Sequence, residues 1–388
     1  MDWRFLNWQR ATSQHVCAGG LAIAALALAG CAPQSPAAGL AREDLDHGGA
    51  GYAVYRIPAL AVSTRGTLIA AYDGRPSGAD LPSHIAVVVR RSTDTGRTWH
   101  DRQVVRADSA PAGFGDPSLL VDGQTGRIFL FYAASVNAGF GGSRTGNGDD
   151  DPDILQADLS YSDDDGLTWR HRRLSHLIKD PAWGGLFAAS GQGIQLQRGP
   201  HAGRLVQQYV IRYAGGNYAA SLFSDDHGAT WRMGKLLGPG LDENKTVELS
   251  DGRLLLNSRA RPFRLVAYSA DGGATYDSLH ADSALVDPAN NGSIIRVFPD
   301  APASSPRSHW LLFSNTASRT SRDHLTVRLS CDDGRTWPEA RTLEAGPAGY
   351  STLAMLPDGS IGILYERGKG PAISFARFNL AWVGGSCS

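Results

Sequence analysis

Lysine is scarce in this chain. Among 388 residues only Lys179, Lys235, Lys245 and Lys369 are lysines, and arginine supplies the rest of the fixed positive charge. The formal net charge is −1, with charged residues at 19 % and no long block of one sign. That balance gives no reason to expect nucleic acid as a partner. The apolar run from Val16 to Ala29 is shorter than the roughly 20 residues that span a bilayer. No long amphipathic helical pattern stands out beyond it. The four cysteines are Cys17, Cys31, Cys331 and Cys387, and spacings this wide do not resemble a zinc site. Glycine, in contrast, is abundant at 46 residues, and aromatic residues are well represented. Both fit a β-rich protein with many tight turns.

Arg4 and Arg10 precede the apolar run, which fits the apolar region of a secretory signal. The run ends in Leu28-Ala29-Gly30-Cys31, which resembles the lipobox of bacterial lipoproteins. That resemblance implies lipidation of the Cys31 thiol, with ordinary cleavage and release of a soluble protein as the alternative. Residues 1–30 are thus expected to be a lipoprotein-type signal. Residues 31–45, with Pro33, Pro36 and small residues, read as a tether. Residues 46–384 read as one folded domain. The expected location is exported, either as a cell-envelope lipoprotein touching membrane only through its lipid or as a secreted protein. If Cys17 leaves with the signal and Cys31 is lipidated, Cys331 and Cys387 remain. An exported protein can keep a disulfide, and one between them would fasten the C-terminus to an earlier strand.

One peptide recurs. Ser92-Thr93-Asp94-Thr95-Gly96-Arg97-Thr98-Trp99 is followed by copies beginning at Ser162, Ser224, Ser269 and Ser330, all with the core Ser-x-Asp-x-Gly-x-Thr-Trp/Tyr. Recurrence at tens of residues signals a repeat architecture. Within a copy the chemistry is that of a turn. Ser and Asp side chains accept bonds from nearby backbone N–H groups, Gly permits a left-handed backbone, and the aromatic ring is a buried wedge. A catalytic acid is needed once and not five times, and an EF-hand loop has another ligand spacing. The copies resemble the Asp boxes of sialidases, whose fold is a six-bladed β-propeller. The resemblance implies an all-β, six-bladed β-propeller with five Asp-box turns. Roughly 340 residues divided among six blades gives about 57 each, close to the range for propellers. It also implies that the boxes lie away from the active site.

The residues that match the family's site lie elsewhere, in the family's order and most closely as in secreted actinobacterial sialidases. Tyr55-Arg56-Ile57-Pro58 matches the Tyr/Phe-Arg-Ile-Pro signature, and a buried Arg needs an anionic partner. The resemblance implies three arginines on the carboxylate of sialic acid, where planar guanidinium groups offer charge-assisted bonds that Lys cannot copy. These match Arg56, Arg259 in Leu254-Leu255-Leu256-Asn257-Ser258-Arg259, and Arg322, with Arg319 and Arg328 as rivals for the third. The family nucleophile is a Tyr, which matches Tyr350. A carboxylate there would face repulsion from the substrate carboxylate, and a phenol of pKa near 10 needs a base. The base matches Glu243, with Glu248 as rival. Asp80 matches the general acid/base, with Asp73 as alternative. Arg75 and Asp116 are implied at the sugar's 4-hydroxyl, and Glu366 as the acid that orders Arg56. Ile57, Phe114, Trp183 and Gln192 are candidates for specificity.

The resemblance therefore implies an exo-α-sialidase that cleaves terminal sialic acid from glycans, glycoproteins or gangliosides with retention, through a sialyl-tyrosine intermediate. It implies no metal or organic cofactor, a monomer and no appended lectin domain. The alternatives are a trans-sialidase or intramolecular trans-sialidase, a non-catalytic sialic-acid-binding propeller, and an Asp-box glycosidase for neutral sugars.

Overall fold

The computed structural model describes residues 39–370 and 372–385. Residues 1–30 and Cys31, assigned above to the signal and the lipid, lie outside the described residues, as does Cys387. Nearly every described element is a strand, and the two α-helices, Ser175–Ile178 and Leu380–Val383, are single turns. No described helix is long and apolar enough to cross a membrane.

Short turns join most consecutive strands, so the sheets are built mainly from neighbours in sequence. Val54–Val62, Leu68–Arg75, Ala86–Ser92 and Gln103–Arg106 pair antiparallel in chain order. Gly113–Val121, Ile128–Ser135, Gln156–Ser162 and Arg170–Arg173 repeat the pattern, as do the four strands from Asn244–Glu248 to His280–Val286. A further sheet is centred on Leu205–Tyr213 and Gly216–Ser224. The largest sheet has seven strands and bends within the long strand Glu339–Met355. One end of that strand pairs with Asp323–Ser330 and the other with Ile361–Arg367. Val54–Val62 lies against Gly113–Val121 and Glu339–Met355, Ser293–Arg296 lies against Asn244–Glu248 and Glu339–Met355, and Leu205–Tyr213 lies against Asn244–Glu248, so the inner strands ring an axis. This is an all-β propeller.

The seven-stranded sheet corrects one boundary. Leu40–Asp46 is its outer strand, antiparallel to Ala372–Phe378. Residues 40–45, read above as tether, therefore belong to the folded unit. The alternation in Leu40-Ala41-Arg42-Glu43-Asp44-Leu45-Asp46 is charged and gives no apolar signal, because an edge strand needs only one covered face.

The recurring turns follow the third strand of a sheet. In each, the Asp accepts from the Thr backbone N–H and the Thr hydroxyl donates to its other oxygen, at 2.8 and 2.6 Å for Asp164 and Thr168. The Ser hydroxyl donates to the Asp and accepts from the Gly N–H, as Ser162 does at 2.8 Å each. The same four bonds recur at Asp94, Asp226, Asp271 and Asp332. The residue before the Gly is also left-handed, with φ of 62° at Thr95, 65° at Asp165, 59° at His227 and 60° at Asp333. The aromatic residue reaches into the neighbouring sheet: Trp231 stands edge-on to Phe129 and Phe131 at 5.6 and 5.3 Å, and Trp99 to Phe375 at 5.1 Å. Apolar layers between sheets, such as Leu120, Phe129, Leu159, Leu205 and Leu222, form the core.

Candidate active site

The starts of the first strands converge on one end of the axis. There a pocket of about 290 Å³ is lined by Arg56, Asp80, Asp116, Asp242, Glu243, Arg259, Arg322 and Tyr350 on its polar side. Ile57, Leu81, Phe140, Leu155, Phe187 and Asn217 complete it.

Tyr350 is at its centre. It lies where Glu339–Met355 crosses from one pairing partner to the other, 6 % exposed. Three guanidinium groups surround its ring, with central carbons 5.5 Å (Arg56), 6.0 Å (Arg259) and 5.4 Å (Arg322) from the centroid. Arg259 Nη1 donates to the phenol oxygen at 2.6 Å and lies 2.5 Å from Glu243 Oε2. Burial pushes the Tyr350 phenol well above its usual value, the Glu243 charge adds to this, and Arg259 and Arg322 act against it.

Each group is held from behind. Glu366, on Ile361–Arg367, accepts from Arg56 Nε at 3.2 Å, the Ile57 N–H at 2.9 Å and the Tyr350 N–H at 3.3 Å. One buried carboxylate thus fixes an arginine and the tyrosine backbone together. Ile57 takes φ 62°, which turns the strand at Arg56. Arg259 Nη2 donates to Asp242 at 2.8 Å. Arg322 Nη2 donates to the Ala289 carbonyl at 3.2 Å.

Asp80 is exposed on its loop, 2.5 Å from Arg75 Nη1 and 3.6 Å from Arg56 Nη1. Burial would raise its pKa, but the bond and charge of Arg75, then Arg56 and Arg259, hold it below the usual carboxylate range. Arg75, expected beside Asp116 on a sugar hydroxyl, does not line the pocket. It is 1 % exposed and already engaged with Asp73 and Asp80. Asp116 does line it, with φ 61° and its N–H donating to Asp73 at 3.1 Å. Burial raises the Asp116 pKa and the Asp73 charge beside it raises it further, with Arg75 opposing.

The rivals fall elsewhere. Asp73 is fully buried and pairs with Arg75. Arg328 bonds Asn315, and Arg319 lies over Phe263. Glu248 is at the opposite mouth of the axis, where it accepts from the Gln197 and Arg198 N–H groups and faces Arg296 at 3.5 Å. A separate cavity of about 260 Å³ there includes Gln192, Val62, Val121 and Met355. Of the specificity candidates, only Ile57 meets the pocket. Phe114 and Trp183 pack in the core. Sequence reading missed Phe140, Leu155 and Phe187, which make an apolar wall with Phe140 and Phe187 edge-on at 5.1 Å. Nothing in a single apolar residue distinguishes a pocket wall from core. Asp242, beside Glu243, was legible as a second acid and went unassigned.

The BNR repeat-like domain family matches residues 66–363. A sialidase of Paraclostridium sordellii is 31 % identical over 346 residues, covering 80 % of this chain and 81 % of that protein. The chain belongs to the sialidase family. A sialidase of Micromonospora viridifaciens is 53 % identical over 386 residues, covering 95 % of this chain and 59 % of that protein. The chain thus spans about three fifths of that relative's length. Among solved structures, the Hadza microbial sialidase Hz136 aligns with a TM-score of 0.78 at 32 % identity, over 86 % of this chain and 67 % of that one.

Proposed function

We propose that this chain is an exo-α-sialidase that hydrolyses terminal sialic acid from glycoconjugates with retention. The observation that carries the reading is the convergence of three guanidinium groups on the ring of one buried tyrosine, whose hydroxyl shares Arg259 Nη1 with a carboxylate, Glu243. Three cations around one point suit an anionic sugar, and a phenol beside a carboxylate suits a nucleophile beside its base. The family membership supports the same substrate.

In this reading Arg56, Arg259 and Arg322 bind the sugar carboxylate above Tyr350. Glu243 takes the phenol proton as the Tyr350 oxygen attacks the anomeric carbon, and Asp80 protonates the departing oxygen. The C–O bond to the aglycone breaks and a sialyl-tyrosine forms. Asp80 then takes a proton from water, which attacks the same carbon, and the proton returns to Tyr350 through Glu243. Free Asp80 is held ionised by Arg75 and Arg56. A substrate carboxylate on the arginines offsets their charge and lets Asp80 carry the proton it must give. Arg75 reaches a sugar hydroxyl only when Asp80 turns from it, and Asp116 accompanies it. The apolar wall of Phe140 and Phe187 faces the acyl group.

We read the seven-stranded sheet as two blades that share Glu339–Met355, which gives six blades, and the five recurring turns as Asp boxes. Cys331 is disulfide-bonded, and we assign Cys387 as its partner. The exported, lipid-anchored state through Cys31 and the monomer belong to the same proposal.

The test is a time course on a synthetic α-sialoside followed by NMR, comparing wild type with Tyr350→Phe. Early release of the α-anomer, lost in the variant, is the expected result. An anhydro sugar or a sialylated acceptor would make the enzyme an intramolecular or intermolecular transferase. No turnover by a folded wild type that binds sialic acid would leave a binding protein and refute the catalytic assignment.

A further inference from the structure

Lys245 is one of four lysines, and it is 2 % exposed on the strand Asn244–Glu248. It follows Glu243 by two residues, on the strand that Glu243 leads into. Its Nζ donates to Asn291 Oδ1 at 3.1 Å and, at 3.4 Å, to the Asn244 carbonyl. Asn291 Nδ2 donates to the Ser190 carbonyl at 2.9 Å, and Ser190 Oγ to Glu243 Oε1 at 3.4 Å. Gly191 closes the cage: a Cβ there would lie 2.9 Å from Lys245 Cε and 3.0 Å from Thr352 Oγ1.

A buried ammonium is costly unless a counter-charge is near. Among the described residues no carboxylate makes an ion pair with Lys245. The charges that face it are Glu243 from just before its strand, Arg259 from just after the next and Arg264 from the one beyond. Its other neighbours, Asn291, Ser190, Gly191 and Thr352, do not titrate. Of the three charges only Glu243 favours the ammonium. Burial, foremost, with the two arginines adding to it, lowers the lysine to about 7. The fold thus keeps an unfavourable group that reaches Glu243 through Asn291 and Ser190.

We propose that Lys245 is a positioning residue for Glu243: through Asn291 and Ser190 it fixes the carboxylate where it takes the Tyr350 proton. The inference rests on the reading of Glu243 as the base. It also accounts for the cost, since stability given up at one site for activity is a common exchange.

Lys245→Met, with a side chain of similar length, tests it. A lysine whose folded pKa lies below its unfolded value weakens the fold while charged. The wild type therefore gains stability as pH rises from about 7 towards about 10, and the variant lacks that gain. Urea denaturation should find Lys245→Met at least as stable as wild type at pH 6. On an aryl sialoside whose leaving group needs no acid, kcat should fall by about tenfold or more with KM little changed. The pH profile of kcat should no longer superimpose on wild type, because a buried cation near the site has gone. Asn291→Ala should lower kcat in the same direction while leaving the charge in place. A kcat profile that superimposes on wild type in a folded Lys245→Met protein would overturn the proposal. So would a variant that loses stability in step with activity. If Tyr350→Phe retains activity, it is the reading of the site that fails, which separates the two outcomes.

Discussion

Replacing Glu366 by Gln isolates what holds the pocket in shape. The carboxylate is 4 % exposed and accepts three bonds, two at Oε1 and one at Oε2. Gln keeps one oxygen, which can stay with Arg56 Nε and the Ile57 N–H. Its NH₂ then faces the Tyr350 N–H at 3.3 Å, donor against donor. A bond to a charged group contributes about 1.5–3 kcal/mol and a neutral one about 1, so the Arg56 contact weakens by roughly 1–2 kcal/mol. An orphaned buried N–H adds about 1–3 kcal/mol. The variant should lose about 2–5 kcal/mol in urea denaturation at unchanged m. Glu366→Ala should lose about 3–5 kcal/mol, because it also strands a buried cation. Arg56 is no longer aimed, so KM for a sialoside should rise about tenfold or more, a factor worth about 1.4 kcal/mol. Stability within 0.5 kcal/mol of wild type, a surface-like value, together with an unchanged KM would refute the claim that this carboxylate organises the site.

Three further outcomes follow from the geometry. In Gly349→Ala the new Cβ would lie 1.9 Å from Glu366 Oε2, so kcat should fall at least tenfold, and a variant of full activity would show that Tyr350 is not held through this contact. Burial opposes ionisation of Asp164, but bonds from Thr168 and Ser162 outweigh it and hold the group at about 2. Since this folded value lies below the unfolded one near 3.9, its contribution is present above about pH 4 and is lost as pH falls towards 2. Asp164→Asn should therefore flatten the acid fall in the urea midpoint, and an unchanged slope would count against the turn bonds. Because burial and Asp73 favour the protonated form of Asp116, Asp116→Asn should keep KM within about threefold of wild type at pH 6, where Asp116→Ala should raise it about tenfold. Equal effects of the two substitutions would contradict a protonated Asp116.

Much of this was legible because each signal depends on only a few neighbouring residues. The Ser-x-Asp-x-Gly-x-Thr turn closes on itself, so five copies could be read without tertiary knowledge. Tyr350, Glu243 and the three arginines were found by short matching segments, and the pocket gathers all five. What failed depended on distant partners. Arg75 was matched to a sugar hydroxyl, yet Asp73 two residues earlier draws it inward. Leu40–Asp46 has a charged pattern whose meaning depends on Ala372–Phe378. Phe114 and Phe140 look alike in sequence, and only the neighbouring sheet makes one core and the other wall.

The outer strand Leu40–Asp46 makes the fold a clasp between its two ends. Asp44 accepts from Ser374, 330 positions further along the chain. Asp46 carries the join onward to Arg90, Arg102 and Tyr72 of the first sheet. A chain made from its N-terminus already carries every intervening residue before this strand meets its mate. Until then it is an unpaired edge, open to pairing with other chains. The pocket waits for the same moment, since Arg56 comes from the first sheet and Tyr350 and Glu366 from the last. The three groups cannot act together until the ring has shut, so any activity recovered in a refolding experiment would be a clock for that closure.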